Sequence, residues 1–382
     1  MEHPLSEQST TIPAQEDGGA TILEIAQQPD AWREIGRHID ERSRQFLSAL
    51  LERDDLRIVL TGAGSSAFAG QIVAPAVRRH LGRRVEAIAT TSIVANPVDL
   101  LERETPTLLV SFARSGNSPE SVAATRLADE LIDDVWHLVL TCDAHGELGR
   151  THSRRDDSLV VLMPERTNDT GFAMTSSLTS MMLACLLLLG PADRASVDAL
   201  ADAAQRLIDG REDIRAVART KRTRFVYLGS GALEGLARES ALKLLELTAG
   251  EVVTYFDSPL GFRHGPKSVL DHDTLVLVYV STDPYTRRYD EDIIAEIRAQ
   301  IGDGSVVVLT PDEADHPAGA WHLPGLGGLD DSQVAVAYLV FAQYLALFTA
   351  LARGKTPDNP FPGGEVSRVV KGVTIHPLPQ DR

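Results

Sequence analysis

The feature that most constrains the fold is a recurring unit. A short, nearly continuous run of Val, Ile and Leu stops at a Gly- or Ser-rich loop, and a helical stretch follows. Arg57–Leu60 runs into Thr61-Gly62-Ala63-Gly64-Ser65-Ser66, with a helix from about Ala67. Val85–Ile88 is a second short strand. Thr107–Phe112 runs into Ala113-Arg114-Ser115-Gly116-Asn117-Ser118-Pro119-Glu120-Ser121 and another helix, and Val135–Thr141 and Leu159–Leu162 continue the series. Half-exposed strands alternate polar and apolar residues, whereas unbroken apolar runs mark strands buried on both faces. The expectation is therefore a parallel sheet covered by helices. The order then repeats. Arg224–Leu228 leads into Gly229-Ser230-Gly231, Val252–Phe256 is extended, and Thr274–Val280 leads into Ser281-Thr282-Asp283-Pro284. A helix near Asp290–Gln300 and a strand at Ser305–Leu309 complete the second series. One element order met twice predicts an α/β chain made of two tandem doubly wound parallel-sheet domains.

The remaining segments fit around these units. Residues 1–20 are polar, lack the basic and apolar regions of a signal peptide, and are expected to be disordered. Residues 21–54 carry Ile22, Ile25, Trp32, Ile35, Phe46, Leu47 and Leu50 at helical spacing, with a break at Pro29 that predicts a short helix and then a longer one. The first unit spans 55–190, a helical connector 191–222, the second unit 223–353, and a Pro/Gly-rich tail 354–382. Leu178–Leu189 is too short to cross a membrane. Val334–Ala352 is long enough, but it is Ala-rich and holds Gln343 and Thr349, so it is expected as a buried helix at a subunit contact. A net charge of -17 argues against binding to nucleic acid or to an anionic membrane. It leaves room for a small anion held by backbone N–H groups and a few placed cations. Cys142 and Cys185 form neither a disulfide framework nor a zinc spacing, so a cytoplasmic location is the expectation. Neither a metal nor an organic cofactor is signalled.

Three loops stand out chemically. Gly62-Ala63-Gly64-Ser65-Ser66 sits between a strand and a helix, where free N–H groups and the helix dipole favour an anion. A tight turn with a serine cap has the same composition. The glycine spacing is not that of a dinucleotide-binding loop, and no Gly-Lys-Ser/Thr follows, so neither a nicotinamide cofactor nor ATP is supported. Arg114, Ser115, Gly116, Asn117 and Ser118 form a second hydroxyl-rich turn at a strand's carboxyl end. Two such loops in one half point at one phosphate. The equivalent loop of the second half lacks this pattern, so one phosphate site per chain, in the first half, is expected. Thr170–Ser177, with Thr175 and Ser176, reads either as a helix cap or as a polar wall for a sugar.

The fourth stretch runs from Arg238 to Lys267. Lys243 and Glu246 lie three apart and share a helical face, and His264 follows in a Gly-Phe-Arg-His-Gly-Pro-Lys loop. A carboxylate, an amine and an imidazole are the groups of proton-transfer chemistry. A solvated helix with Lys243 paired to Glu246 or Glu239 fits the same residues.

Taken together, Gly62–Ser66, Ser115–Ser118, Glu239–Glu246 and His264-Gly265-Pro266 resemble the tandem sugar isomerase (SIS) domain proteins, of flavodoxin-like fold. The subgroup called tagatose-6-phosphate ketose/aldose isomerase or galactosamine-6-phosphate deaminase is the most similar. Ser111–Ser121, Gly261–Ser268, Asp358–Pro362 and Val369–His376 carry that likeness, which covers about residues 21–382. The isomerase half of glucosamine-6-phosphate synthase is a further relative.

The resemblance implies roles. Ser65 and Ser66, with the Ser115–Ser118 loop, would hold the sugar phosphate. Glu246 would move a proton between C1 and C2, assisted by Lys243. His264 would open the sugar ring, from the neighbouring subunit of a homodimer or higher homo-oligomer, and Lys371 falls where the synthase has a C-terminal active-site lysine, so the tail 354–382 would complete the active site. The chain also departs from the synthase. Ala113-Arg114 replace Ser-Gln, which puts Arg114 within reach of the phosphate, and the Glu246–His264 stretch is two residues longer. No glutaminase segment precedes residue 21, which favours deamination over synthesis. The expected reaction is D-galactosamine 6-phosphate plus water giving D-tagatose 6-phosphate plus ammonia, with Glu246 working best if burial raises its pKa and Lys243 opposes that shift. Glucosamine 6-phosphate deamination or a plain aldose–ketose isomerisation would use the same residues. A non-catalytic sugar-phosphate sensor would need a DNA-binding region, and no helix-turn-helix pattern precedes residue 55.

Overall fold

The computed structural model describes residues 18–311, 320–370 and 372–379. Five strands form the first sheet: β1 (Arg57–Thr61), β2 (Val85–Ala87), β3 (Thr107–Ala113), β4 (Val135–Thr141) and β5 (Ser158–Leu162). The second sheet holds β6 (Arg224–Gly229), β7 (Val253–Asp257), β8 (Thr274–Tyr279), β9 (Val306–Thr310) and β10 (Ala320–His322). The strand orders are β2-β1-β3-β4-β5 and β10-β9-β8-β6-β7, which are the same order read from opposite edges. Every pairing is parallel. All residues of β1, β3, β8 and β9 are buried, as the unbroken apolar runs require. The two doubly wound units are thus as expected. Strand β10 was not foreseen, because Ala-Trp-His has no apolar run to mark it.

Helix Asp331–Ala352 runs through the middle of the molecule. Asp330 caps it, its side chain accepting from Gln333 N. It is the helix, among the described residues, long and apolar enough to cross a membrane, and 94% of its apolar window is buried inside this chain. Helices Ala232–Leu247, Ser65–Leu81, Arg194–Asp209, Arg211–Ala218, Ser176–Leu189 and Gly19–Ala26 pack around it. The expected subunit contact is therefore corrected. A helix apolar all round must be covered on every side, and the chain's own helices do so. Small residues such as Ala335, Ala337, Ala342 and Ala346 let them approach. One apolar core consequently runs through both halves.

The amino-terminal region forms three helices rather than two: Gly19–Ala26, Gln28–His38 and Glu41–Leu51. Pro29 sits in the first turn of the second, where a missing N–H costs nothing. Asp40 starts the third by accepting from Ser43 N at 2.8 Å. The segment expected to be disordered is already helical at Gly19, while residues 1–17 lie outside the described residues. The cause is distant in sequence. The Asp358 carboxylate of the tail accepts from Ala20 N at 2.7 Å, Thr21 N at 2.9 Å and Thr21 Oγ1 at 2.6 Å. An acid at the helix start satisfies otherwise orphaned donors.

Candidate active site

Strands β1 and β3 are neighbours, yet the chain leaves β1 toward β2 and β3 toward β4. Their loops diverge and open a cleft at the carboxyl ends, where doubly wound sheets bind ligands. The cleft holds about 860 Å³ of empty space, part of it open to solvent. Gly64, Ser65 and Ser66 line one side, and Arg114, Ser115, Gly116 and Ser118 another. Gly64, with φ +56°, turns the chain into helix Ser65–Leu81. A Cβ on Gly62 would lie 2.6 Å from the Ser66 carbonyl carbon, so glycine is required for the loop to fold back on the helix. Ser118 precedes helix Pro119–Leu131 without capping it through its side chain, which leaves the hydroxyl for another partner.

The opposite wall comes from helix Ala232–Leu247. Lys243 is 1% exposed, with Nζ 2.5 Å from Glu246 Oε2 and 3.5 Å from Glu239 Oε1. Burial alone would lower the Lys243 pKa, but the charges of Glu239 and Glu246 outweigh it and hold the ammonium above its ordinary value. Glu246 keeps 26% of its side chain exposed and reaches the cleft. The carboxyl enclosed by burial is Glu239, 0% exposed, where the expectation had pointed to Glu246. Burial pushes Glu239 up to about 7, Lys243 pulling it back and Glu246 adding to the rise.

Of the residues singled out from sequence, Ser65, Ser66, Arg114, Ser115, Gly116, Ser118, Lys243 and Glu246 meet in this cleft. Asn117 does not line it. Its Oδ1 turns away to accept from Glu147 N at 3.0 Å. Thr175 and Ser176 are corrected as a sugar-facing wall, because both are buried around the Asp169 carboxylate. Thr175 N donates to it at 2.7 Å, Ser176 Oγ at 2.5 Å and Ser177 N at 2.9 Å. A buried carboxylate must be solvated by donors, and these groups serve as its shell. Phe172 and Met174 face the cleft from that segment instead. His264 is exposed in the loop after helix Pro259–Phe262 and does not line the cleft of its own chain. Lys371 lies outside the described residues.

The tail was expected at the site, but the residues it contributes there, like several other contributors, were not singled out from the sequence. Residues 366–370 of the tail roof the cleft, with Arg368 among them. Glu24 accepts from Thr170 Oγ1 at 2.9 Å and Gly171 N at 3.0 Å, fixing the loop that carries Phe172 and Met174. Asp169 was legible only as an acid ahead of a Thr-Ser-Ser run, the pattern of a cap.

The corresponding loops of the second half are filled from within. Ser230 Oγ donates to Asp290 Oδ1 at 2.9 Å, and Ser281 N to Asp290 Oδ2 at 2.9 Å. Ser281 Oγ and Thr282 N donate to Asp331 at 2.6 and 2.7 Å.

Comparison with known proteins places this geometry. Residues 50–190 match the SIS domain family. A Streptomyces coelicolor protein named "Putative D-galactosamine-6-phosphate deaminase AgaS" is 54% identical over 377 residues, covering 96% of this chain and 98% of that protein. The chain belongs to the SIS domain family. A protein of Escherichia coli O157:H7 named "D-galactosamine-6-phosphate deaminase AgaS" is 45% identical over 371 residues, covering 94% of this chain and 96% of that protein. The crystal structure of tagatose-6-phosphate ketose/aldose isomerase from Escherichia coli superposes with a TM-score of 0.89 at 43% identity, covering 96% of this chain and 99% of that one.

Proposed function

We propose that this chain is a cytoplasmic enzyme that converts D-galactosamine 6-phosphate and water into D-tagatose 6-phosphate and ammonia. The observation carrying this reading is the cleft itself. Serine hydroxyls and a guanidinium line one side, and a Lys243–Glu246 pair stands on the other. Full-length likeness to proteins named for that deamination supports the choice of substrate.

Ser65, Ser66, Ser115 and Ser118 hold the phosphate with the N-terminal N–H groups of their helices. That remote binding orients C1 and C2 of the open-chain sugar over Glu246. Glu246 takes the C2 proton to form an enolamine and returns it to C1, leaving an imine at C2. Water adds to the imine carbon and ammonia leaves, giving the ketose. Lys243, 2.5 Å from Glu246 Oε2, holds that carboxylate in place for the first step. His264 opens the ring and comes from the neighbouring subunit, so a homodimer is the smallest active unit. Its exposure outside its own chain's cleft supports that arrangement, and a fully active monomer would overturn it. The whole reading is tested by measuring ammonia and ketose phosphate together over a panel of hexosamine 6-phosphates. Equimolar products from the galacto sugar are expected, with its C4 epimer turned over far more slowly. Ketose formation from an aldose 6-phosphate without ammonia release would move the assignment to plain isomerisation.

A further inference from the structure

We propose that Arg114 and Arg368 act together as a two-guanidinium clamp on the substrate phosphate, the tail supplying the second member. The proposal rests on the phosphate reading of the cleft and adds to it a charge-matching element beyond the serine loops.

Arg114 is 7% exposed and lines the cleft, and its Nη1 is buried without a hydrogen-bond partner. A buried cation with an empty donor is costly unless an anion completes it. Its Nη2 donates to the Arg368 carbonyl at 3.2 Å, which ties it to the tail backbone. Arg368 lines the same cleft, and its guanidinium donates to the Asp169 carbonyl. Among the described residues, no carboxylate lies within ion-pair distance of either arginine, whereas Lys243, the other cation of the cleft, is committed to Glu239 and Glu246. Two positive charges without a carboxylate in contact, at one end of a cleft, suit a dianion such as a phosphate monoester better than a singly charged group. Burial, and then the Arg368 charge, press the Arg114 guanidinium below its ordinary value, a cost the dianion would relieve. The tail is anchored close by. Asp358 fastens it to the start of helix Gly19–Ala26, and the Phe361 ring lies 5.2 Å from that of Phe172.

Inorganic phosphate, as a competitive inhibitor of the full chain, tests the clamp, with D-tagatose as the unphosphorylated control ligand. Arg368→Gln alters an exposed side chain and should fold. It is expected to raise the phosphate inhibition constant and the KM for the sugar phosphate together by about tenfold or more, as loss of a charged hydrogen bond implies. Turnover and tagatose affinity should change far less. Arg114→Lys should raise the phosphate constant as well, and the double variant should fall short of the product of the two single effects, because both act on one dianion. If Ser115→Ala weakens phosphate while Arg368→Gln leaves it unchanged, the clamp is wrong and the serine-loop reading stands. If phosphate does not inhibit at all, both fall. If Arg368→Gln weakens phosphate and tagatose by the same factor, Arg368 is a tail anchor and the clamp is again wrong.

Discussion

The two halves share one strand order and place equivalent loops at equivalent strand ends, but they use the polar groups of those loops differently. In the first half, the Ser118 side chain does not cap its helix and Arg114 Nη1 has no hydrogen-bond partner among the described residues, and both residues border a cleft. In the second, Ser230, Ser281 and Thr282 are bound by Asp290 and Asp331. The chain's own carboxylates thus occupy the place that the first half leaves to a ligand. One unit has kept its loop ends for binding, while the other has turned the same geometry into a structural tie. Asp331 belongs to the central helix, so that tie also fastens the second sheet to the shared core. The second half then contributes chemistry through its helix face, with Lys243 and Glu246 turned toward the first half's cleft.

Substitutions can break or sharpen this contrast. The largest effect is expected for Glu246→Gln, which removes the proton carrier. Turnover should drop by roughly a thousandfold, within the range of general acid–base catalysis, while calorimetry still detects sugar phosphate binding. Unchanged ammonia release would remove Glu246 from its proposed role. Next in size is Asp290→Ala, which strands the Ser230 hydroxyl and the Ser281 N–H in a buried site. A loss of about 3 kcal/mol in denaturant unfolding is expected, with the sugar-phosphate KM of the folded protein little changed. A change in KM without a change in stability would reverse the contrast.

A pH dependence of stability should follow from the same carboxyl. Burial, reinforced by Asp331, pushes Asp290 up to about 7 from an ordinary 3.8. The fold keeps it protonated where the unfolded chain would ionise it. Its contribution is therefore whole below about pH 4 and lost as pH rises toward 7. Asp290→Asn, which can still accept from Ser281 N and reach Ser230, should flatten that decline in a series of urea titrations. An identical slope in the variant would mean the titration belongs elsewhere. The smallest effect is assigned to Ser115→Ala in the first half. The KM is expected to rise by about tenfold, with stability changed by less than ~0.5 kcal/mol. A melting shift as large as that of Asp290→Ala would show that both halves use their loops structurally.

Reading the chain as amino acids alone goes far for whatever depends on local pattern. Unbroken apolar runs identify β1, β3, β8 and β9, and Lys243 and Glu246 share a face because helical spacing puts residues three apart side by side. The paired loops after β1 and β3 follow from the repeated strand–loop–helix unit. What stays hidden is the partner of each polar group. Thr175 and Ser176 look as suited to a sugar as Ser115 and Ser118 do, until Asp169 takes them inward. The helix Asp331–Ala352 looks like a surface seeking another subunit, until six helices of the same chain are brought together around it. Arg368 has no periodicity to mark it, and Asp358 reaches a helix start 337 positions away in the chain. Pattern is set by neighbours along the backbone, so the sequence by itself determined the units and the loops. Hydrogen-bond satisfaction and burial are set by neighbours in space, so only the tertiary structure decided which loops remain open to a ligand.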